Sequence, residues 1–432
     1  MRYALTAALT MASVFLSASA QTNRIDAVRP DAPELAAYGK HAVGVQTLRL
    51  VNANQVDVVN TKAGEPNKMY DRPLTVEVWY PATLSADQKP QGEYQTVTRD
   101  GKTPTTLIGR AVRNAAPDRS SAPYPLVIIS HGYPGNRFLL SHLAENLASK
   151  GYVTASIDHT DSTYSDQAAF GSTLLNRPLD QLFVLNELGR LGQASGFQKG
   201  LYDANNVGLI GYSMGGYGVV NTIGGGFSAE VMQSPLAPPN NLLAQRQAGN
   251  AAYIASMDTR IKAAVAIAPW GWNRGFWTAE TLRGIRTPVL FMAGSADDVS
   301  GYQPGVRNIF EGASNAERYL LTFENANHNA AAPIPAPQEA WAPNAPFNHY
   351  ADAVWDTARM NNIAQHFTTA FFGQLLKRDT GMQAYLNLVE NARDGVYSVE
   401  QNGQPKADHT YWKGFANRTA QGLRLEHRKP GQ

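Results

Sequence analysis

The stretch that decides the fold runs from Asn206 to Val220, NVGLIGYSMGGYGVV. Val207 to Ile210 is a short apolar run, the mark of a strand buried on both faces. Gly216 to Val220 continues as a helix of small residues that can pack tightly on a sheet. Between the two lies Gly211-x-Ser213-x-Gly215, a sharp strand-to-helix turn that thrusts a serine hydroxyl out of the backbone. Both glycines are required there, because a side chain at either position would collide with the neighbouring strand or helix.

Outward from this turn, the same alternation recurs in both directions. Upstream stand an apolar strand at Leu126–Ser130, an amphipathic segment at Phe138–Lys150 closed by Gly151, a strand at Tyr152–Ile157 and a helix at Leu179–Leu191. The elbow helix itself reads from Met214 to Thr222. Downstream, Lys262–Ala268, Pro288–Ala293 and Arg318–Phe323 are three more strands. Strands alternating with helices predict an α/β fold: a mostly parallel central sheet with helices on both faces. Val45–Val51 and Leu74–Tyr80 alternate apolar and polar residues, which predicts antiparallel strands at the N-terminal side. Residues 82–123 read as loop, and 21–42 as an irregular lead-in. The main domain is expected over 43–378. Within it, 223–258 breaks the alternation with Gly, Pro and Asn, and is read as a cap or lid insertion. Residues 379–432 read as a polar C-terminal extension.

A serine hydroxyl is a weak nucleophile and needs a base, which in turn needs an orienting carboxylate. Around such an elbow the order along the chain is serine, acid, histidine. The strand Pro288–Ala293 runs into Gly294-Ser-Ala-Asp297-Asp298, placing a carboxylate at the C-terminal edge of the sheet. Asp297 is chosen over its neighbour Asp298 because it completes Gly-x-x-Asp. The next strand leads to His328, the expected base. His142 falls in a helix, His349 and His366 come too late, and His409 and His427 lie in the tail. His159, in Asp158-His-Thr-Asp161, is read as a hydrogen-bonding wall residue. Two N–H groups are expected to hold a developing oxyanion: Met214, at the head of the elbow helix, and Tyr133, in His131-Gly132-Tyr-Pro134-Gly135. There Gly132 lets the backbone turn, while Pro134 has no N–H to offer.

Composition narrows the chemistry further. The 432 residues include no cysteine, so thiol nucleophiles, disulfides and zinc ribbons are excluded. A formal net charge of +2 with 17% charged residues argues against a nucleic-acid partner. Met1-Arg2-Tyr3, an uncharged apolar run from Ala4 to Leu16 and the small residues Ser17–Ala20 read as a signal peptide over 1–20. Cleavage near Ala20 would export the chain to a periplasm or the medium. The run is too short for a stable membrane anchor. No metal-binding motif or phosphate-cradling glycine loop occurs, so neither metal nor cofactor is expected. Asp158, Asp161 and Asp166 are read as a solvated loop, and Arg177 with Asp180 as a structural ion pair at a helix start.

Taken together, Leu74–Pro81, Ile129-Ser-His131-Gly132-Tyr-Pro-Gly135, Asp158-His159 and Gly211-x-Ser213-x-Gly215 resemble the exported α/β-hydrolases of the dienelactone-hydrolase-like group, related to platelet-activating-factor acetylhydrolase. The resemblance spans about residues 43 to 375. It implies an α/β-hydrolase fold with Ser213, Asp297 and His328 as triad and Tyr133 and Met214 as oxyanion donors. Dienelactone hydrolases proper use a cysteine nucleophile, which this chain lacks.

The function expected is hydrolysis of a small carboxylic ester. An amidase or peptidase would use the same triad, and a silent binding protein on the same fold is the remaining alternative. Trp270, Trp272 and Trp277 follow a strand at the active edge, where they either line a substrate cleft or pack beneath the cap.

Overall fold

The computed structural model describes residues 23–432, so the leader read at 1–20 lies outside the described residues. The long strands β1 (Ala42–Val56) and β2 (Met69–Thr83) pair antiparallel. They are followed by β3 (Gly92–Val97), β4 (Pro104–Gly109) and two short bridges, β5 (Val112–Arg113) and β6 (Ala116–Pro117). Then comes the alternating part: β7 (Tyr124–Ser130), α1 (Ser141–Ser149), β8 (Val153–Asp158), α2 (Phe170–Gln193), β9 (Tyr202–Tyr212) and α3 (Met214–Thr222). A short α4 (Ala251–Ala255) precedes β10 (Ile261–Ile267), β11 (Val289–Gly294), α5 (Asn308–Gly312), β12 (Arg318–Phe323), α6 (Thr357–Leu376) and β13 (Leu423–Arg428).

One large sheet has the order β13-β12-β11-β10-β9-β7-β8-β2-β1-β5, with β6 beside β2. Its six strands from β8 to β12 are parallel to one another. This is the expected α/β-hydrolase fold: a mostly parallel sheet, helices on both faces and antiparallel N-terminal strands. The continuous apolar runs have a simple cause. Side chains alternate across a strand, and both faces are covered. Val127, Ile129 and Ile210 point to the face carrying α1 and α6, with Leu143, Leu147, Phe367 and Phe371. Leu126, Ile128 and Leu209 point to the face carrying α2 and α3, with Leu185, Leu188, Val219 and Val220. Burying each such side chain contributes about 1.5–3 kcal/mol.

Helix α2 carries Pro178 in its interior. Proline removes a helical N–H, an interruption costing ~3 kcal/mol in an isolated helix. Here the carbonyl of Leu174, four residues back, instead accepts from the Tyr217 hydroxyl at 2.9 Å. The break thereby becomes a tie between α2 and the elbow helix α3. At Gly218 a Cβ would stand 3.2 Å from Arg177 Cβ and 2.6 Å from the end of the Gln181 side chain, so glycine there eases the close approach of the two helices.

Two parts of the chain depart from the sequence reading. Residues 82–123 are not simply loop, because β3 and β4 form an antiparallel hairpin outside the main sheet. The buried Glu145 carboxylate of α1 anchors it, accepting from Tyr94 Oη and from the N–H groups of Arg110 (2.9 Å) and Ala111 (3.1 Å). Residues beyond Asp379 return to the sheet as β13, antiparallel to β12. There Tyr319 and His427 stack at 4.2 Å, and Glu426 pairs with Arg307.

Candidate active site

The elbow between β9 and α3 behaves as its sequence demands. Ser213 has φ 53° and ψ −113°, a conformation that costs a non-glycine residue about 1–3 kcal/mol. A Cβ at Gly211 would lie 2.2 Å from the Gly215 carbonyl oxygen, and one at Gly215 would lie 2.0 Å from that of Ser130. The surrounding backbone therefore holds the strain in place.

The structure brings Ser213, His328 and Asp297 together. Ser213 Oγ donates to His328 Nε2 at 2.9 Å, and His328 Nδ1 donates to both Asp297 carboxylate oxygens at 3.0 Å. The N–H groups of Val299 and Ser300 also donate to Asp297 Oδ1, at 2.9 and 2.8 Å. Burial alone would raise the Asp297 pKa, but His328 and these two N–H groups outweigh it and hold the carboxyl below its ordinary range. Asp298 turns outward and lies exposed at the cavity wall. Such a chain of hydrogen bonds can move a proton off a serine and stabilise the imidazolium that results.

A cavity of about 620 Å³ opens over Ser213. Gly132, Tyr133 and Pro134 form one side of it. A Cβ on Gly132 would be only 3.3 Å from that of Ser213, so the loop passes directly over the serine. Among the described residues, neither the Tyr133 nor the Met214 N–H donates to a protein acceptor. Met214 N–H is one of the free donors at the head of a helix.

The far wall comes from an unexpected place. Phe347, Asn348, His349, Ala351, Asp352 and Ala353, between β12 and α6, line the cavity. Asn329, next to His328, fastens them: its Nδ2 donates to the carbonyls of Asn348 (2.6 Å) and Ala351 (2.7 Å), while its Oδ1 accepts from Tyr212 Oη at 3.1 Å. His349 is held by Tyr164 Oη at 2.7 Å. Asn329, directly after His328, is the mark that this wall leaves in the sequence. By contrast, no residue of 223–258, the segment read as a cap or lid, lines the cavity. That segment folds against the far end of α3 through Phe227, stacked on Tyr217 at 5.3 Å, and Arg246, which donates to Asn221 Oδ1.

The three tryptophans follow the second of their two readings and pack. None of Trp270, Trp272 and Trp277 lines the cavity. Trp270 and Trp277 are buried in an aromatic cluster with Tyr217, Phe227 and Phe276, and Trp277 Nε1 donates to the Gly225 carbonyl at 2.9 Å. Trp272 is half-buried beside them. Their strand edge is correct, but Gly271, with φ 136°, turns the chain back under the elbow helix.

Behind the Gly132 loop lies a buried polar network. Ser130 Oγ donates to His159 Nε2 (2.8 Å), and His159 Nδ1 donates to Asp180 (2.9 Å). Asp180 is gripped by Arg72 through two bonds of 2.9 Å. Burial opposes its charge, yet Arg72 and His159 pull its pKa down to about 2. His159 is pushed to about 3, chiefly by burial and then by Arg177. Arg177 and Asp180 are therefore not the ion pair expected: they lie in mid-helix, and Arg177 instead donates to the carbonyls of His131 and Gly132. Asp158 pairs with Arg137, and Asp161 with Arg72. Among the described residues no group of three or more acidic or histidine side chains is placed to hold a metal ion.

Comparisons with known proteins agree with the fold and with the resemblance read from the motifs. Residues 91–180 match the family described as platelet-activating factor acetylhydrolase, isoform II. The chain is 22% identical over 280 residues to Cutinase 2 of Thermobifida cellulosilytica, covering 65% of this chain and 78% of that protein. It is 24% identical over 213 residues to Cutinase est1 of Thermobifida alba, covering 49% and 56%. The solved ferulic acid esterase from Streptomyces cinnamoneus superposes with a TM-score of 0.52 at 23% identity, over 80% of this chain and 94% of that one. The chain shares the α/β-hydrolase fold with these proteins.

Proposed function

We propose that the chain is a serine carboxylic-ester hydrolase working through an acyl-enzyme on Ser213. The observation that carries this reading is the Ser213–His328–Asp297 hydrogen-bond chain, opening into a cavity beside two N–H groups that lack protein acceptors. His328 Nε2 takes the Ser213 proton as Oγ attacks the ester carbonyl, and Asp297 stabilises the imidazolium. Tyr133 and Met214 N–H groups hold the oxyanion of the tetrahedral intermediate. As the intermediate collapses, His328 returns the proton to the leaving alcohol. Water, deprotonated by the same imidazole, then releases the acid and regenerates Ser213. Every proton has a carrier within the chain.

A cavity of about 620 Å³ suits a small ester. The relatives named cutinase and ferulic acid esterase support ester over amide cleavage. Among the described residues no helix is long and apolar enough to cross a membrane, and the leader at residues 1–20 supports export.

The test is a p-nitrophenyl ester series of increasing acyl length, run beside the matching anilides and with Ser213→Ala as control. Ester turnover lost in the variant, with the anilides untouched, is the expected result. Undiminished turnover in Ser213→Ala would sink the assignment, and preferential anilide cleavage would make the enzyme an amidase.

A further inference from the structure

We propose that Arg177 is a positioning residue for the oxyanion site: it locks and polarises the peptide group whose N–H belongs to Tyr133. The proposal rests on the ester-hydrolase reading above and adds a residue that does not touch the substrate.

In a trans peptide the C=O and N–H point in opposite directions. The carbonyl of the 132–133 peptide belongs to Gly132, and its N–H belongs to Tyr133. Gly132 O is held from behind by two donors, Arg177 Nη2 at 3.0 Å and His131 Nδ1 at 2.7 Å. The opposite end of that peptide therefore faces the cavity, where Gly132 and Tyr133 flank Ser213.

Arg177 is an unusual choice for a mere prop. Its side chain is fully buried, and no carboxylate lies within ion-pair distance among the described residues. Its donors go to three oxygens instead: the His131 carbonyl, the Gly132 carbonyl and Ser162 Oγ. Burying a guanidinium without a counter-ion is costly. A neutral donor would have satisfied the same carbonyls at lower cost. What the charge adds is polarisation: a cation bound to the carbonyl oxygen makes the N–H across the peptide a stronger donor. That gain is largest when negative charge develops on the substrate oxygen, so it favours the transition state over bound substrate.

His131 takes its orientation from the same layer. Its Nε2 accepts from the His159 N–H at 3.3 Å, and His159 is in turn fixed by Ser130 and Asp180. The buried network thus ends on the Gly132 carbonyl from two directions.

The experiment compares wild type, Arg177→Met, Arg177→Lys and Ser162→Ala on a p-nitrophenyl ester that wild type turns over and Ser213→Ala does not. With that control in hand, failure of the esterase reading is seen before any Arg177 result is interpreted. For Arg177→Met the expected kcat falls about 100-fold with KM nearly unchanged, the pattern of a lost oxyanion donor. The inhibition constant of a trifluoromethyl ketone, whose adduct carries the oxyanion, should rise in parallel. Arg177→Lys keeps a charge without the fork and should recover about tenfold of the loss. Ser162→Ala loosens one end of the guanidinium and should lower kcat several-fold. If Arg177→Met does not fold, the lysine and Ser162 variants carry the test. A lowered melting temperature with kcat and ketone affinity intact in the folded variants would make Arg177 structural and overturn the proposal. A rise in KM alone would overturn it too.

Discussion

Two Ser–His–Asp arrays occur in this protein, and their hydrogen bonds are nearly the same. In one, Ser213 Oγ is 2.9 Å from His328 and His328 is 3.0 Å from Asp297. In the other, Ser130 Oγ is 2.8 Å from His159 and His159 is 2.9 Å from Asp180. What differs is everything around them. Ser213 sits on a positive-φ turn facing a cavity and two unspent N–H groups, whereas Ser130 ends a buried strand, fully covered. Asp297 is supported by backbone N–H groups, which leave it free to answer a charge on His328. Asp180 is already committed to Arg72, a cation almost wholly buried beside it. Distances within a triad therefore do not tell the two arrays apart. Access, strain and spare donors do.

The sharpest way to break this contrast is to remove each serine. Ser213→Ala should lower kcat by about 10⁴ to 10⁶-fold, as expected when the nucleophile of a working triad is lost. Circular dichroism and the melting temperature should stay near wild type. Next in size is Asp297→Asn, which leaves the imidazole without its charge partner and should cost about 10⁴ in kcat. Asp298→Asn should cost less than about tenfold, because Asp298 makes no bond to His328. Reversed losses would move the acid to Asp298.

The legibility of the molecule follows the same contrast. The cavity-facing array lies at three sheet-edge loops, and each left a local mark: Gly-x-Ser-x-Gly, Gly-x-x-Asp after a strand, and a histidine after the next strand. Parallel strands buried on both faces were equally plain as runs of apolar residues. The buried array was legible only at His159, read as a hydrogen-bonding residue after its strand, because its partners Arg72 and Asp180 come from distant segments and meet it only in the folded chain. The β3–β4 hairpin was hidden for a similar reason, being anchored by Glu145 across 35 residues of sequence. Strand β13 was masked by composition: Leu423 and Leu425 alternate with charged residues, and the buried Glu426 is neutralised by Arg307, Arg424 and Arg428. The tryptophans were left between cleft and packing because one backbone turn at Gly271 decides which way a strand-edge loop faces.

The buried array should show itself in stability. Asp180→Ala leaves Arg72 and His159 without their shared partner, and should cost about 3–5 kcal/mol, read from urea unfolding. The acid limb of stability points the same way. His142, His159 and His366 are held at about 3 by burial, and His131 is pushed down too, also mainly by burial. Unfolded, each takes up a proton near 6.5. Between those values the unfolded chain binds more protons, so stability falls as pH drops from about 6.5 towards 3. Urea midpoints at pH 7 and pH 5 check this, and equal midpoints would refute it.

The smallest effect is the most discriminating. Ser130→Ala removes a hydroxyl with the same hydrogen-bond geometry as Ser213, yet no reacting atom can reach it. His159 Nε2 loses its donor inside a sealed site, so the expected cost is about 1–2 kcal/mol of stability. Asp180 still holds the other ring nitrogen, and the His159 N–H still reaches His131, so the Gly132 loop keeps its place. Ester turnover should then stay within about twofold of wild type. A large loss of kcat without loss of stability would mean that the second array takes part in the chemistry. A loss of stability alone makes its role structural.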